Sequence, residues 1–103
     1  MINVVLYKKN NSIIGFEINN HGKDIVCSAV SILSLNTVNS IEAFTDAKYT
    51  VDFNSNGGFL KLFIDMSFYC EKADLLLKSL ELGLKGIELE YSKEISIIDK
   101  EVQ

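Results

Sequence analysis

A chain of 103 residues, 48% of them hydrophobic, carries enough apolar side chains for one core and one domain and is too short for two. A net charge of −4, with no run among its 10 Lys and Arg, argues against a nucleic-acid binder working through phosphate contacts and leaves a protein or a small molecule as the expected partner. With two cysteines, no apolar segment behind a basic start and no apolar run approaching membrane-spanning length, the chain reads as a cytoplasmic protein with reduced thiols, no signal peptide and no membrane partner.

Met1 to Tyr7 alternates Ile2, Val4 and Leu6 against Asn3, Val5 and Tyr7, the period of a strand covered on both faces. The polar turn at residues 8–11 leads to a second strand over Ser12 to Ile18, antiparallel to the first because the connection is short. Within it Gly15 marks a bulge or a close backbone approach. From Asp24 to about Phe44, apolar residues at Val26, Ala29, Val30, Leu33, Val38 and Ile41 recur at helical spacing. Tyr49 to Phe53 and Phe59 to Ile64 form two further strands around the turn Asn54-Ser55-Asn56-Gly57-Gly58. A second helix is expected from about Ser67 to Tyr91. Gly83 and Gly86 would mark its close crossing with a neighbour, and Glu81, Glu88, Glu90, Lys78 and Lys85 its solvated face. Glu94 to Ile98 reads as a last strand and Asp99 to Gln103 as a loose tail. Two apolar helical stripes need one sheet face, so the order ββαββαβ predicts an α+β two-layer sandwich, mainly antiparallel, spanning residues 1–103 as a single domain.

The stretch that can carry chemistry is His21-Gly22-Lys23-Asp24-Ile25-Val26-Cys27-Ser28-Ala29-Val30-Ser31. Gly22 allows a sharp turn into the helix, and Asp24 is a suitable N-cap whose carboxylate can accept backbone N–H groups. Counted from that cap, Cys27 lies in the first turn, where open N–H groups and the positive end of the helix dipole favour a thiolate. His21, the only histidine in the chain, is the sole imidazole that can serve as its base. Ser31, four residues past Cys27, shares its face and can bond the thiol or a bound peptide. The N–H groups around Cys27 and Ser28 are the natural donors for an oxyanion. The same residues also fit a plain structural account, with Cys27 as a small core hydrophobe and Ser31 bonded back to the helix. Cys70 is read as structural, and nothing in the spacing of His, Cys, Asp and Glu calls for a metal or another cofactor.

That run, together with Thr37-Val38-Asn39-Ser40-Ile41, Asn56-Gly57-Gly58-Phe59 and Leu84-Lys85-Gly86-Ile87-Glu88-Leu89-Glu90-Tyr91, resembles the ribosomal-processing cysteine protease family, Prp, over nearly the whole chain. The resemblance implies a small dimeric α+β protein whose Cys–His dyad removes the N-terminal extension of a large-subunit ribosomal protein. It implies Cys27 as nucleophile, Asp24 as the acidic residue of the motif and Ser31 as the supporting hydroxyl. The family's histidine stands in a Gly-His-Ala motif at the end of the second strand, a place matched to Gly15-Phe16-Glu17, so that His21 is the expected replacement base. Phe16 and Gly22 are then assigned to the peptide-binding surface. Two other readings are a catalytically impaired relative, a homodimeric module that binds the ribosomal precursor or its peptide without cutting it, and a structural or regulatory dimer that keeps the motif for helix capping and packing alone.

Overall fold

In the first strand, alternation puts Ile2, Val4 and Leu6 on one side of the pleat, and in the computed structural model all three are buried. Residues 1–19, 24–54, 56, 58–68 and 70–103 are described. β1 (Ile2–Lys9) and β2 (Ser12–Asn19) form a hairpin, followed by α1 (Asp24–Phe44) and a second hairpin of β3 (Tyr49–Asn54) and β4 (Phe59–Ile64). A short 3-10 turn at Met66–Phe68, α2 (Glu71–Glu90) and β5 (Ile95–Glu101) complete the chain. The five strands join in one sheet in the order β3-β4-β2-β1-β5. This is the expected ββαββαβ sandwich. The sheet is mixed, since β5 pairs parallel to β1 while the other three pairings are antiparallel.

One face of the sheet is covered by both helices. Leu6, Phe16, Leu62 and Ile95 pack there against Val26, Val30 and Ile41 of α1 and Ala73, Leu77 and Leu84 of α2. The opposite face is a polar and aromatic mosaic. The rings of Tyr7 and Phe63 lie 4.6 Å apart, with Lys61 Nζ 5.9 and 5.4 Å from their centroids. The Glu17 carboxylate meets Lys61 at 3.4 Å, accepts the Tyr7 hydroxyl at 3.4 Å and takes Asn19 Nδ2 at 2.7 Å. Burial, and next the Glu17 charge, push the Tyr7 phenol above its ordinary pKa.

Gly15 shows both features expected of it. The ladder steps from Tyr7–Gly15 to Lys8–Ile13, leaving Ile14 as the extra residue of a bulge. A Cβ on Gly15 would stand 2.4 Å from the Leu62 carbonyl oxygen, so no side chain fits between these strands. The bulged segment is fastened to the helix layer: Ile13 N–H donates to Asp74 Oδ1 at 2.8 Å, and Lys78 Nζ lies 3.0 Å from Asp74 Oδ2. Asp74 is itself buried, so Asp74→Ala leaves a buried N–H without its acceptor. The variant is expected to lose about 1.5–3 kcal/mol in urea denaturation, most of it restored by Asp74→Asn.

Several sequence expectations change. The loose tail is strand: β5 runs to Glu101, and Val102 N–H still donates to the Lys8 carbonyl at 2.7 Å. Pairing with β1 and the Lys8–Asp99 ion pair at 3.0 Å outweigh the poor strand propensity of Asp-Lys-Glu. The second helix starts later, at Glu71, because the 3-10 turn intervenes and Cys70, in extended conformation, takes the N-cap. Two residues assigned to a solvated face tie α2 to the sheet. Glu81 takes Lys8 at 2.8 Å, and Glu88 Oε2 accepts Ile97 N–H at 3.1 Å. The bond to Glu81 leads the effects that hold the Lys8 ammonium pKa above its usual value. Gly83 is a close crossing, as a Cβ there would meet Leu33 of α1 at 3.0 Å, but Gly86 is exposed, and among the described residues nothing beyond its own helix backbone comes within 4 Å of a Cβ placed there. A mid-helix glycine costs about 1 kcal/mol against alanine, and nothing among the described residues accounts for it at 86. α1 has the length, 21 residues, and the apolar character to cross a bilayer, contrary to the expectation that no segment approaches this. It lies along the sheet with one face, burying Val26, Val30, Ser34, Thr37 and Ile41, and leaves Ile25, Ile32 and Phe44 exposed.

Candidate active site

The first turn of α1 is delivered to the ends of three strands. Ile18 near the end of β2, Ile2 at the start of β1 and Leu60 at the start of β4 form a continuous apolar floor, and α1 crosses above it. Between α1 and the β3–β4 hairpin this leaves a cavity of about 160 Å³, roofed by Cys27, Val30, Ser31, Ser34 and Leu35 and walled by Phe53, Gly58 and Phe59. Gly58 has φ 62°, a left-handed conformation suited to glycine, which brings the hairpin back beside the helix. Polar groups inside are few and satisfied. The Ser34 hydroxyl donates to the Val30 carbonyl at 2.7 Å. The chamber therefore suits an apolar side chain.

Cys27 is half-buried at the mouth of this chamber and joins no disulfide with Cys70. On its outer side it borders a shallow depression with Asp24, Ser28, Ser31 and Ile32. Cys27 and Ser31 line both concavities, so the thiol and the hydroxyl stand on the ridge between an enclosed apolar chamber and an open groove. An extended chain lying in the groove can turn one side chain into the chamber and pass a carbonyl over Sγ. Cys70 also borders a depression, with Phe44, Asp46, Glu71 and Lys72, but that one is wide and open to solvent.

The helix boundary revises two assignments. Asp24 is the first helical residue and not the cap, and Cys27 is the fourth residue of the helix. The N–H groups that an α-helix leaves open then belong to Asp24, Ile25 and Val26, while Ser28 N–H lies four residues past the Asp24 carbonyl, inside the helical ladder. Phe16 is fully buried between Leu6 and Leu62, its cross-strand partners, and offers a peptide no surface. His21 and Gly22 lie outside the described residues. Ser34 and Phe53 were not singled out from sequence, and Phe59 entered only as the last residue of the Asn56-Gly57-Gly58-Phe59 run. The i, i+4, i+7 series of Cys27, Ser31 and Ser34 carried the signal for the first, whereas Phe53 read only as a strand residue.

A family model, cysteine protease Prp, matches residues 1–96. The chain belongs to the cysteine protease Prp family. The ribosomal processing cysteine protease Prp of Staphylococcus aureus is 30% identical over 77 residues, 75% of this chain and 72% of the relative. Its Bacillus subtilis counterpart is 26% identical over 80 residues, 75% and 71% of the two chains. Among solved structures, the S. aureus Prp with a covalently linked product peptide superposes with a TM-score of 0.90 at 26% identity, covering 97% of this chain and all of that one. SMU.848 from Streptococcus mutans reaches 0.84 at 25% identity, covering 99% and 96%. The Prp resemblance places the family's histidine at the end of the second strand. Here that strand ends at Asn19, so Gly15-Phe16-Glu17 is its middle and His21 follows two residues beyond its end.

Proposed function

We propose that Cys27 is the nucleophile and His21 the general base of a cysteine endopeptidase, with an apolar substrate side chain held in the chamber beneath α1. The observation that carries this reading is the position of Cys27 on the ridge between chamber and groove, in the first turn of a helix. The chain is a ribosomal processing cysteine protease by family, and the covalent peptide adduct of the S. aureus relative favours cleavage over peptide binding alone. The substrate is the N-terminal extension of a large-subunit ribosomal protein, a basic partner for a chain of net charge −4.

In the first step His21 takes the Cys27 proton and Sγ attacks the scissile carbonyl carbon. The oxyanion is met by the open N–H groups of the helix start. The C–N bond then breaks, the amine leaves with the proton held by His21, and a thioester remains. Water gives a proton to the imidazole and attacks that thioester, the C–S bond breaks, and the thiol is restored. Ser31 supports the bound peptide through its hydroxyl, and Asp24 orients the turn that carries His21. The enzyme acts in the cytoplasm as a homodimer.

The test is incubation of the purified chain with a synthetic peptide spanning the extension junction of the ribosomal protein from the same genome. Two products and a transient mass increase on Cys27 are expected. Tight binding with no cleavage and no adduct would instead establish the impaired, peptide-holding relative.

A further inference from the structure

We infer that the substrate peptide adds to the sheet as a sixth strand on the open edge of β3, with the side chain opposite Phe53 entering the chamber. Its main chain bonds to Val51 and Phe53. This deepens the proposed function and rests on its reading of the chamber as the place of a substrate side chain. β3 ends the sheet, and β4 is its only paired neighbour among the described residues. Asp65 N–H donates to the Lys48 carbonyl at 2.7 Å just ahead of the strand, so in this antiparallel ladder Thr50, Asp52 and Asn54 turn their N–H and C=O groups toward β4. Those of Tyr49, Val51 and Phe53 point outward along the edge. Val51 and Phe53 stand opposite Leu62 and Leu60, so their side chains lie on the face that carries the chamber, yet they remain 37% and 60% exposed.

An uncovered edge of this kind is a template for another extended chain, and natural sheets guard theirs. The opposite edge is guarded: Glu88 of α2 takes Ile97 N–H of β5, and Asp99, Lys100 and Glu101 charge the end of that strand. β3 has no proline, no lysine and no bulge. The chamber identifies the chain that this edge receives. Of its lining residues Ser31, Leu35 and Phe53 are exposed and mark the mouth, which therefore opens beside the end of β3, next to Cys27. A strand paired with β3 sets the residue opposite Phe53 on the chamber's face of the sheet and the residues on either side of it on the other face. That alternation is what a single anchored side chain needs. Charge agrees. Residues 24–54 hold Asp24, Glu42, Asp46 and Asp52 against Lys48 alone, which favours a basic precursor and disfavours a second copy of a chain of net charge −4.

Amide hydrogen exchange in the Cys27→Ala chain, followed by NMR with and without the synthetic junction peptide, tests the pairing. In the free chain Val51 and Phe53 are expected to exchange fast and Thr50 and Asp52 slowly. Saturating peptide should slow Val51 and Phe53 by roughly 10-fold or more and leave Thr50 and Asp52 as they were. Val51→Pro deletes an outward N–H without breaking a bond to β4, so in the active chain circular dichroism and kcat should hold while KM for the same peptide rises roughly 5–50-fold. Methylating the peptide's own nitrogens one at a time gives a further readout, in which loss of binding should alternate along the peptide with a period of two. Cleavage by a chain whose Val51 and Phe53 amides stay unprotected, with KM unchanged in Val51→Pro, overturns the sixth strand and leaves the peptidase standing. An unchanged KM together with a Val51→Pro chain that sediments as a monomer where the wild type is a dimer assigns the edge to a second copy and overturns it too. A wild type that neither binds nor cuts the peptide overturns both the strand and the functional reading beneath it.

Discussion

Cys27→Ala is expected to abolish cleavage of a precursor peptide, and His21→Ala to slow it by roughly 10²–10⁴-fold, the usual weight of a positioned general base. Cys70→Ser should cleave at the wild-type rate, since Cys70 stands at the N-cap position of α2 beside an open depression, away from the chamber. The measurement is turnover of a fluorogenic junction peptide by the three variants, alongside the rate at which iodoacetamide alkylates Cys27. The two readouts separate roles. If His21 holds the proton of Cys27, its removal slows both alkylation at neutral pH and cleavage. If it only closed the loop over the peptide, it would change KM and leave alkylation alone. A His21→Ala enzyme within twofold of wild type in both would remove the histidine from the mechanism.

Phe16→His carries the second large effect. Were Phe16 the site of a lost catalytic histidine, restoring the imidazole would raise activity. Its side chain is instead fully enclosed in the middle of β2, between Leu6 and Leu62, on the face that packs under the helices. An imidazole there gives up apolar contact and buries ring nitrogens among hydrocarbon. The expected result is a loss of about 2–4 kcal/mol in urea denaturation and no gain in cleavage. That is a large share of the roughly 5–15 kcal/mol that holds a domain of this size together. A Phe16→His protein that cleaves faster than wild type would return the catalytic position to residue 16.

What could be read from the sequence was what depends on local pattern. The span of α1 and of β4 followed from periodicity, and Gly15 announced a place where two backbones meet too closely for a side chain. The misreadings share a physical origin in partners distant along the chain. Glu81 and Glu88 look like surface charges until the sheet edge is placed beside them, and Asp74 gives no sign that it serves a bulge sixty-one residues earlier. The end of β5 has a composition suited to solvent, and becomes strand because β1 supplies a ladder. At the site, Cys27 and Ser31 were legible from their spacing on one helix. Phe53 was not, because the hairpin that carries it reaches α1 only through the fold. The place of Phe16 turned on one boundary: once β2 is seen to continue to Asn19, the end of the strand belongs to the residues next to His21 and not to Phe16.

The parallel pairing of β1 with β5 has a practical side. Both strands run away from the chamber, whose floor includes Ile2, toward the far end at Lys8 and Glu101. Eight residues of strand separate the two ends, roughly 25 Å at the rise of an extended chain. Residues fused ahead of Met1 would therefore emerge beside the floor of the chamber and compete with peptide there. An affinity handle or a surface tether attached after Gln103 would leave from the opposite edge of the sheet, with the groove still open to solution.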